Sequence, residues 1–258
     1  MKSMKPWLAL VVALSCITSV QAAEMDKANV IRDYTDTVAP ADQQAYEAGV
    51  KSYNQCLSQH GYKYTWTALT HETGDTYQYS YISAPSTWAS FDAMHTEGKA
   101  CDASWRKAVN PHLKSETSAF LVRMPELSHM PADMGLTSAL MDVTYFKLKP
   151  GHEVSEAFVK AATRIAAAAE KSSWSEHYMF TKVQDGGQDA PDFILVSFSR
   201  SWADFGDESI PSVWKMVENA YGKKDADALR KSVNDTIKDV SSHVDSYSAE
   251  LTYLPSGK

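Results

Sequence analysis

Ser155-Glu-Ala-Phe-Val-Lys160 echoes Tyr46-Glu-Ala-Gly-Val-Lys51 at an offset of 109 residues, and both stretches open an amphipathic helical pattern. Two further echoes follow in the same order. Arg200-Ser-Trp-Ala-Asp-Phe205 matches Ser86-Thr-Trp-Ala-Ser-Phe91 at an offset of 114. Ser248-Ala-Glu-Leu-Thr-Tyr-Leu-Pro255 matches Ser118-Ala-Phe-Leu-Val-Arg-Met-Pro125 at an offset of 130. Each match alone is noise. Three in order, with an offset that only grows, are what loop insertions in a second copy of one unit produce. The units are placed at residues 28–127 and 139–256, with 128–138, which holds Pro131 and Gly135, as the linker.

The pattern around the echoes gives the content of one unit. Met141 to Lys149 alternates apolar and polar side chains as a strand does, and Pro150-Gly151 ends it. From Glu153 to Glu170, Phe158, Ala161, Ala162, Ile165 and Ala169 recur at helical spacing. Residues 174–183 and 192–199 read as paired strands, rich in aromatic and β-branched residues. Helical segments at 209–221 and 225–241 and a strand at 245–254 complete the order strand, helix, strand, strand, helix, strand. The first unit repeats it, with strands at 31–38, 62–70, 77–83 and 116–123 and helical regions at 42–60 and 87–109. The expected fold is α+β, two β-α-β-β-α-β units in one chain.

The chain begins with an export pattern. Lys2 and Lys5 precede an apolar run from Trp7 to Cys16, and Val20-Gln21-Ala22 offers a cleavage site, so residues 1–22 read as a signal peptide. Anchoring through Cys16 is the rival, but Ala13-Leu14-Ser15 is a poor lipobox. Losing Lys2 and Lys5 takes the formal charge from −7 to −9, which repels nucleic acid and anionic lipid. No later run is long enough to span a membrane. A periplasmic or secreted chain, not inserted in the membrane, is expected. Its two remaining cysteines, Cys56 and Cys101, then meet an oxidising compartment and are expected to pair, which stabilises the fold by roughly 4 kcal/mol on the chain-entropy model.

Two such units, each with an E-A-x-V-K helix opening and an [ST]-W-A-x-F turn after its third strand, resemble the dimeric α/β-barrel superfamily of ferredoxin-like folds. That group includes antibiotic-biosynthesis monooxygenase-like and NIPSNAP-like proteins. Many members pair two identical subunits sheet to sheet, so the resemblance implies an intramolecular barrel and a monomer with an internal pseudo-dimer. It also implies two chemistries, cofactor-independent oxygenation of an aromatic substrate and haem-dependent reactions. The haem-binding branches place an axial histidine in the C-terminal unit, and after His177 only His243 remains there, late in a predicted helix.

Composition and motif add no independent chemistry. The chain has no G-x-S-x-G elbow, no H-E-x-x-H, no phosphate-cradling glycine loop and no G-x-G-x-x-G. Its eight histidines stand singly, so no metal site is expected, and any would have to be assembled by tertiary proximity. Ligand-binding candidates are Trp66 and Tyr79 on the aromatic strands of the first unit, and His177, read as mid-strand, with Tyr178 in the second. The ladders Tyr62, Tyr64, Trp66 and Tyr77, Tyr79, Tyr81 read as packing or as the wall of a cavity. Trp88 with Phe91, and Trp202 with Phe205, read as anchors of helix starts to the sheet, capped by Ser86-Thr87 and Ser201. The expected function is binding of a small apolar or aromatic molecule in a barrel cavity, without a cofactor. Its alternatives are a monooxygenase-like enzyme and an interaction module without a pocket.

Overall fold

A computed structural model describes residues 28–130, 138–207 and 211–255. The first half runs β1 (Val30–Val38), α1 (Gln43–Gln59), β2 (Trp66–His71), β3 (Gln78–Ser83), α2 (Trp88–Gly98), α3 (Asp102–Ala108) and β4 (Leu113–Arg123). The second runs β5 (Leu140–Leu148), α4 (His152–Ser172), β6 (Tyr178–Gln184), β7 (Phe193–Ser199), α5 (Trp202–Gly206), α6 (Val213–Tyr221), α7 (Lys223–Thr236) and β8 (Ile237–Tyr253). The eight strands close into one antiparallel barrel in the order β1-β3-β2-β8-β5-β7-β6-β4, with β4 returning to β1. The two halves meet where β2 pairs with β8 and β4 with β6. Closure leaves no unpaired sheet edge for another chain to extend.

Alternation along each strand sends one set of side chains into the barrel and the other under the helices. Ile31, Leu69, Ala119 and Leu121 of the first half meet Met141, Val143, Ile194 and Val196 of the second, so the lumen has its own apolar core. Outside, Tyr46 and Val50 of α1 pack on Ala68, Tyr79 and Tyr81. Phe158 and Ala162 of α4 pack on Phe180 and Phe193. The alanine-rich side of α4 also receives Met216, Val217 and Leu229 from α6 and α7. Gly222, at φ +84°, separates those two helices, a conformation that a β-carbon would strain. Gly49 serves close packing instead. A β-carbon there would lie 2.1 Å from the Ala108 carbonyl oxygen, so its absence lets α1 and α3 touch.

Cys56, late in α1, is bonded to Cys101, just before α3, as expected. The expected caps also form: Thr87 Oγ1 accepts from the Ser90 amide and Ser201 Oγ from the Asp204 amide. The tryptophans that follow them are not buried anchors. Trp88 is 48% exposed and leans on Phe120, while Trp202 is 54% exposed and meets chiefly Phe205. Each ring covers a neighbouring ring at the barrel rim.

Three expected boundaries shift. The final helix ends at Thr236 and β8 begins at Ile237, because β5 requires a partner along its length, from Leu140 opposite Ser246 to Leu148 opposite Ile237. Val240 and Val244, four residues apart, satisfy a helical spacing and a strand alternation equally. His243 is therefore a strand residue. His177 precedes β6 instead of lying within it. Tyr62 and Tyr64 precede β2, because the Tyr62 amide bonds back to the Leu57 carbonyl and Gly61 turns the chain at φ +69°. The segment 1–22 lies outside the described residues, as does most of the 128–138 linker. No helix among the described residues is long and apolar enough to cross a membrane.

Candidate functional site

The helix layer is seated differently in the two halves. In the second, α4 fully buries Phe158 and several alanines against the sheet. In the first, α1 buries Tyr46, Val50 and Leu57 in the same way, but α2 and α3, unlike α6 and α7, bury no residue completely. They roof a cavity of about 630 Å³ over the outward faces of β1, β3, β2 and β4, within the size range of small-molecule sites. Tyr53, Tyr62, Trp66, Phe91, Trp105 and Phe120 supply rings to its walls. Tyr53 is stacked parallel to Trp66 at 5.9 Å and meets Trp105 edge-on at 5.0 Å, so these rings hold one another in place.

Arg32, Asp36, His95, Asp102 and Glu116 are its ionisable lining residues, and the two from β1, Arg32 and Asp36, make the contacts that follow. The Arg32 guanidinium lies over the rings of both Tyr34 and Phe120, at 4.7 and 4.3 Å from their centroids, and donates to Ser118 Oγ at 2.9 Å. Contact with two rings restrains the guanidinium while leaving other N–H groups to donate. Asp36 is 1% exposed. Its Oδ2 lies 2.6 Å from Tyr46 Oη, which lies 2.8 Å from Tyr81 Oη. Tyr46 has one proton, so the arrangement that satisfies all three groups runs Tyr81 to Tyr46 to Asp36, each hydroxyl donating onward. Asp36 Oδ1 has no hydrogen-bond partner among the described residues. Burial pushes the Asp36 carboxyl up to about 7, opposed by the Tyr46 hydrogen bond and reinforced by Glu116. Burial likewise pushes Tyr53 up to about 12.

Of the four ligand-binding candidates, Trp66 lines this cavity. Tyr79 is packed behind it, its hydroxyl donating to Glu47 Oε1 at 2.7 Å and its ring 4.9 Å from that of Tyr46. His177 and Tyr178 belong to the other half, beside His129 and Trp174. The structure does not gather the four. Arg32 and Asp36 are the residues that sequence reasoning missed. The alternation Arg32, Tyr34, Asp36 puts them on one face, but nothing local shows that this face meets a cavity.

The closed eight-stranded α+β barrel is a fold shared with several solved structures. No family model matches the chain, and no curated protein does. Solved structures match most of its length. An anthrone oxidase-like protein superposes with a TM-score of 0.55 at 11% identity, covering 91% of this chain and 99% of that one. A "putative monooxygenase" from Lactobacillus acidophilus gives 0.54 at 11% identity, covering 87% and 95%. A tryptophan-to-phenylalanine variant of chlorite dismutase from Candidatus Nitrospira defluvii, in complex with cyanide, gives 0.52 at 12% identity, covering 86% and 92%. At these identities the likeness is one of fold.

The haem chemistry implied by the resemblance finds no matching residues in the second half. The space between its helices and sheet is filled by Phe146, Phe158, Phe180 and Phe193, in ring contact with one another. The buried histidine beside that cluster, His129, has both ring nitrogens engaged, Nδ1 2.7 Å from Glu170 Oε1 and Nε2 3.0 Å from the Trp174 carbonyl oxygen. His243 faces the lumen, stacked on Tyr145 and His71.

Proposed function

We propose that this chain binds a planar aromatic molecule bearing an anionic group in the cavity of its first half. The observation that carries the reading is the guanidinium of Arg32, held against two rings at the wall of an aromatic-lined cavity of about 630 Å³. Rings recognise the plane and Arg32 the charge. Titration with 2-naphthoate, followed by tryptophan fluorescence, is expected to be saturable. Naphthalene, lacking the carboxylate, should bind less tightly. Arg32→Ala should weaken 2-naphthoate by roughly 10- to 100-fold, the worth of one charged hydrogen bond. Equal affinity for the acid and the hydrocarbon refutes the role of Arg32.

Asp36 favours a second reading, proton abstraction from an electron-rich aromatic substrate that then reacts with dioxygen. A carboxyl pushed up to about 7, with one oxygen unpartnered in a cavity wall, is suited to act as a base near neutral pH. The monooxygenase and anthrone oxidase-like neighbours support this at the level of fold alone. Anthrone oxidation in air should then be accelerated by the wild type and not by Asp36→Asn.

Two organisational readings accompany these. The halves are divergent copies of one unit, supported by matching irregularities in register: a bulge falls at Thr37/Val38 in β1 and at Lys147/Leu148 in β5, an offset of 110. The residues that pair beyond them, Leu113 and Ile237, differ by 124, which favours that offset over 130 for the last strand. The protein is exported and works in an oxidising compartment as a monomer, a reading supported indirectly by the disulfide.

A further inference from the structure

The lumen core is apolar at its centre but carries a compact polar cluster toward one end. His71 closes β2, and its register partner on β8 is Asp245; His243 lies two residues earlier on β8 and faces the same way. The three are 7%, 2% and 9% exposed, in the order His71, Asp245, His243. Asp245 Oδ1 lies 3.0 Å from His243 Nε2 and 3.6 Å from His71 Nε2, and the two imidazoles are stacked at 4.1 Å. Asp33 faces the same group from β1, its carboxyl sensing both Asp245 and His243.

The 3.0 Å approach is not aligned as a hydrogen bond. His243 Nε2, Asp245 Oδ1 and Asp33 Oδ1 all lack a hydrogen-bond partner among the described residues, although all are buried. Native interiors leave few such atoms unpaired, and a cluster of them around one space calls for an ion or water. A proton shared between His243 and Asp245 would serve one pair and leave Asp33 Oδ1 unsatisfied, while His71 Nε2 is met by Ser80 Oγ. A divalent ion serves them together: at ligand distances near 2.1 Å, its donors sit about 3.0–3.5 Å apart, close to the spacings observed. Two imidazole nitrogens with one carboxylate form a donor set for first-row transition ions. The adjoining lumen cavity, about 490 Å³, runs from His71 and His243 to the β6–β7 hairpin, where Gln188 and Asp189 are exposed, giving an ion a path inward.

We propose that His71, His243 and Asp245 bind one divalent first-row transition-metal ion inside the barrel, with Asp33 as a neighbouring carboxylate that balances its charge. The two rings are stacked at 19° here, so binding requires them to open until both Nε2 lone pairs point at the ion, with Ser80 Oγ, 3.1 Å from His71 Nε2, giving up its place. This site lies on the opposite face of the sheet from the aromatic cavity, so neither assignment depends on the other.

The second cluster of potential ligands, Cys56, His60 and Cys101, is disabled by the disulfide and supplies the control. Full-length protein with that bond intact is stripped with chelator and titrated with Co²⁺ alone, then challenged with Zn²⁺. One equivalent should bind, with visible ligand-field bands of a nitrogen and oxygen donor set that Zn²⁺ abolishes. The melting temperature should rise with Zn²⁺. Asp245→Asn and His71→Gln, both conservative in size, should weaken Co²⁺ by roughly 100-fold or more, as loss of a direct ligand exceeds the 10- to 100-fold effect of an outer partner. His60→Ala should leave binding unchanged. Near-UV circular dichroism matching the wild type shows that a variant is folded, and a variant failing that check is replaced by the other. Wild-type binding no tighter than that of Asp245→Asn, or binding lost with His60→Ala, overturns the proposal.

Discussion

Replacing Asp36 by Asn tests the electrostatics of the cavity without touching its shape. In the folded protein the carboxyl is pushed from 3.8 up to about 7, chiefly by burial. A raised carboxyl pKa means that the folded state holds a proton which the unfolded state releases. Stability is therefore lost as the pH rises from about 4 to about 7 and is level above that. About three units at 1.36 kcal/mol each set a ceiling of about 4 kcal/mol for this group. Asn cannot ionise, yet its side-chain oxygen still accepts from Tyr46. Urea unfolding of both proteins at about pH 4 and about pH 8 is the assay. Any packing difference between Asp and Asn is the same at both pH values and cancels. Relative to wild type, Asp36→Asn should gain up to about 4 kcal/mol between the acid and the alkaline measurement. A difference that stays constant, within about 0.5 kcal/mol, would show that Asp36 is ionised at ordinary cost and would remove the base from the proposed chemistry. Asp33, also pushed up to about 7 by burial and Asp245, is present in both proteins and drops out of the comparison.

The disulfide spans 45 residues of chain, so Cys56→Ser with Cys101→Ser should lower unfolding free energy by about 4 kcal/mol on the chain-entropy model. The same pair should loosen 2-naphthoate binding, because the bond ties α1 to the start of α3 over the cavity; unchanged affinity with lowered stability would separate the two roles. Gly49→Ala forces a β-carbon against the backbone of Ala108. It should destabilise the protein by about 1–3 kcal/mol in a urea titration, as overpacking does, and an unchanged midpoint would mean that α1 and α3 do not touch so closely.

Much of the fold is legible in the chain because its determinants are local. Alternation in Met141–Lys149 and the apolar stripe from Phe158 to Ala169 report strand and helix directly. Thr87 and Ser201 cap the turns where they stand, and Cys56 and Cys101 bond to each other. What the chain leaves open are the quantities that alternation cannot carry. A period of two says that Arg32, Tyr34 and Asp36 share a face, and that Ile31 and Asp33 share the other. It does not say which face is roofed by helices and which enters the lumen, since in a closed barrel both are covered. Val240 and His243 illustrate the same ambiguity, their segment fitting a helix until β5 demands a partner.

The two sites come from that tertiary decision. His71 and His243 stand alone in the sequence and become neighbours only because β8 of one half pairs with β2 of the other. The aromatic cavity exists because α2 and α3 rest on rings without burying a residue of their own, whereas α6 and α7 of the second half bury Met216, Val217, Ala226 and Leu229. Residue type determined which groups were available for chemistry, and barrel closure decided which of them met, because contact between distant strands is set by register and packing across the whole sheet.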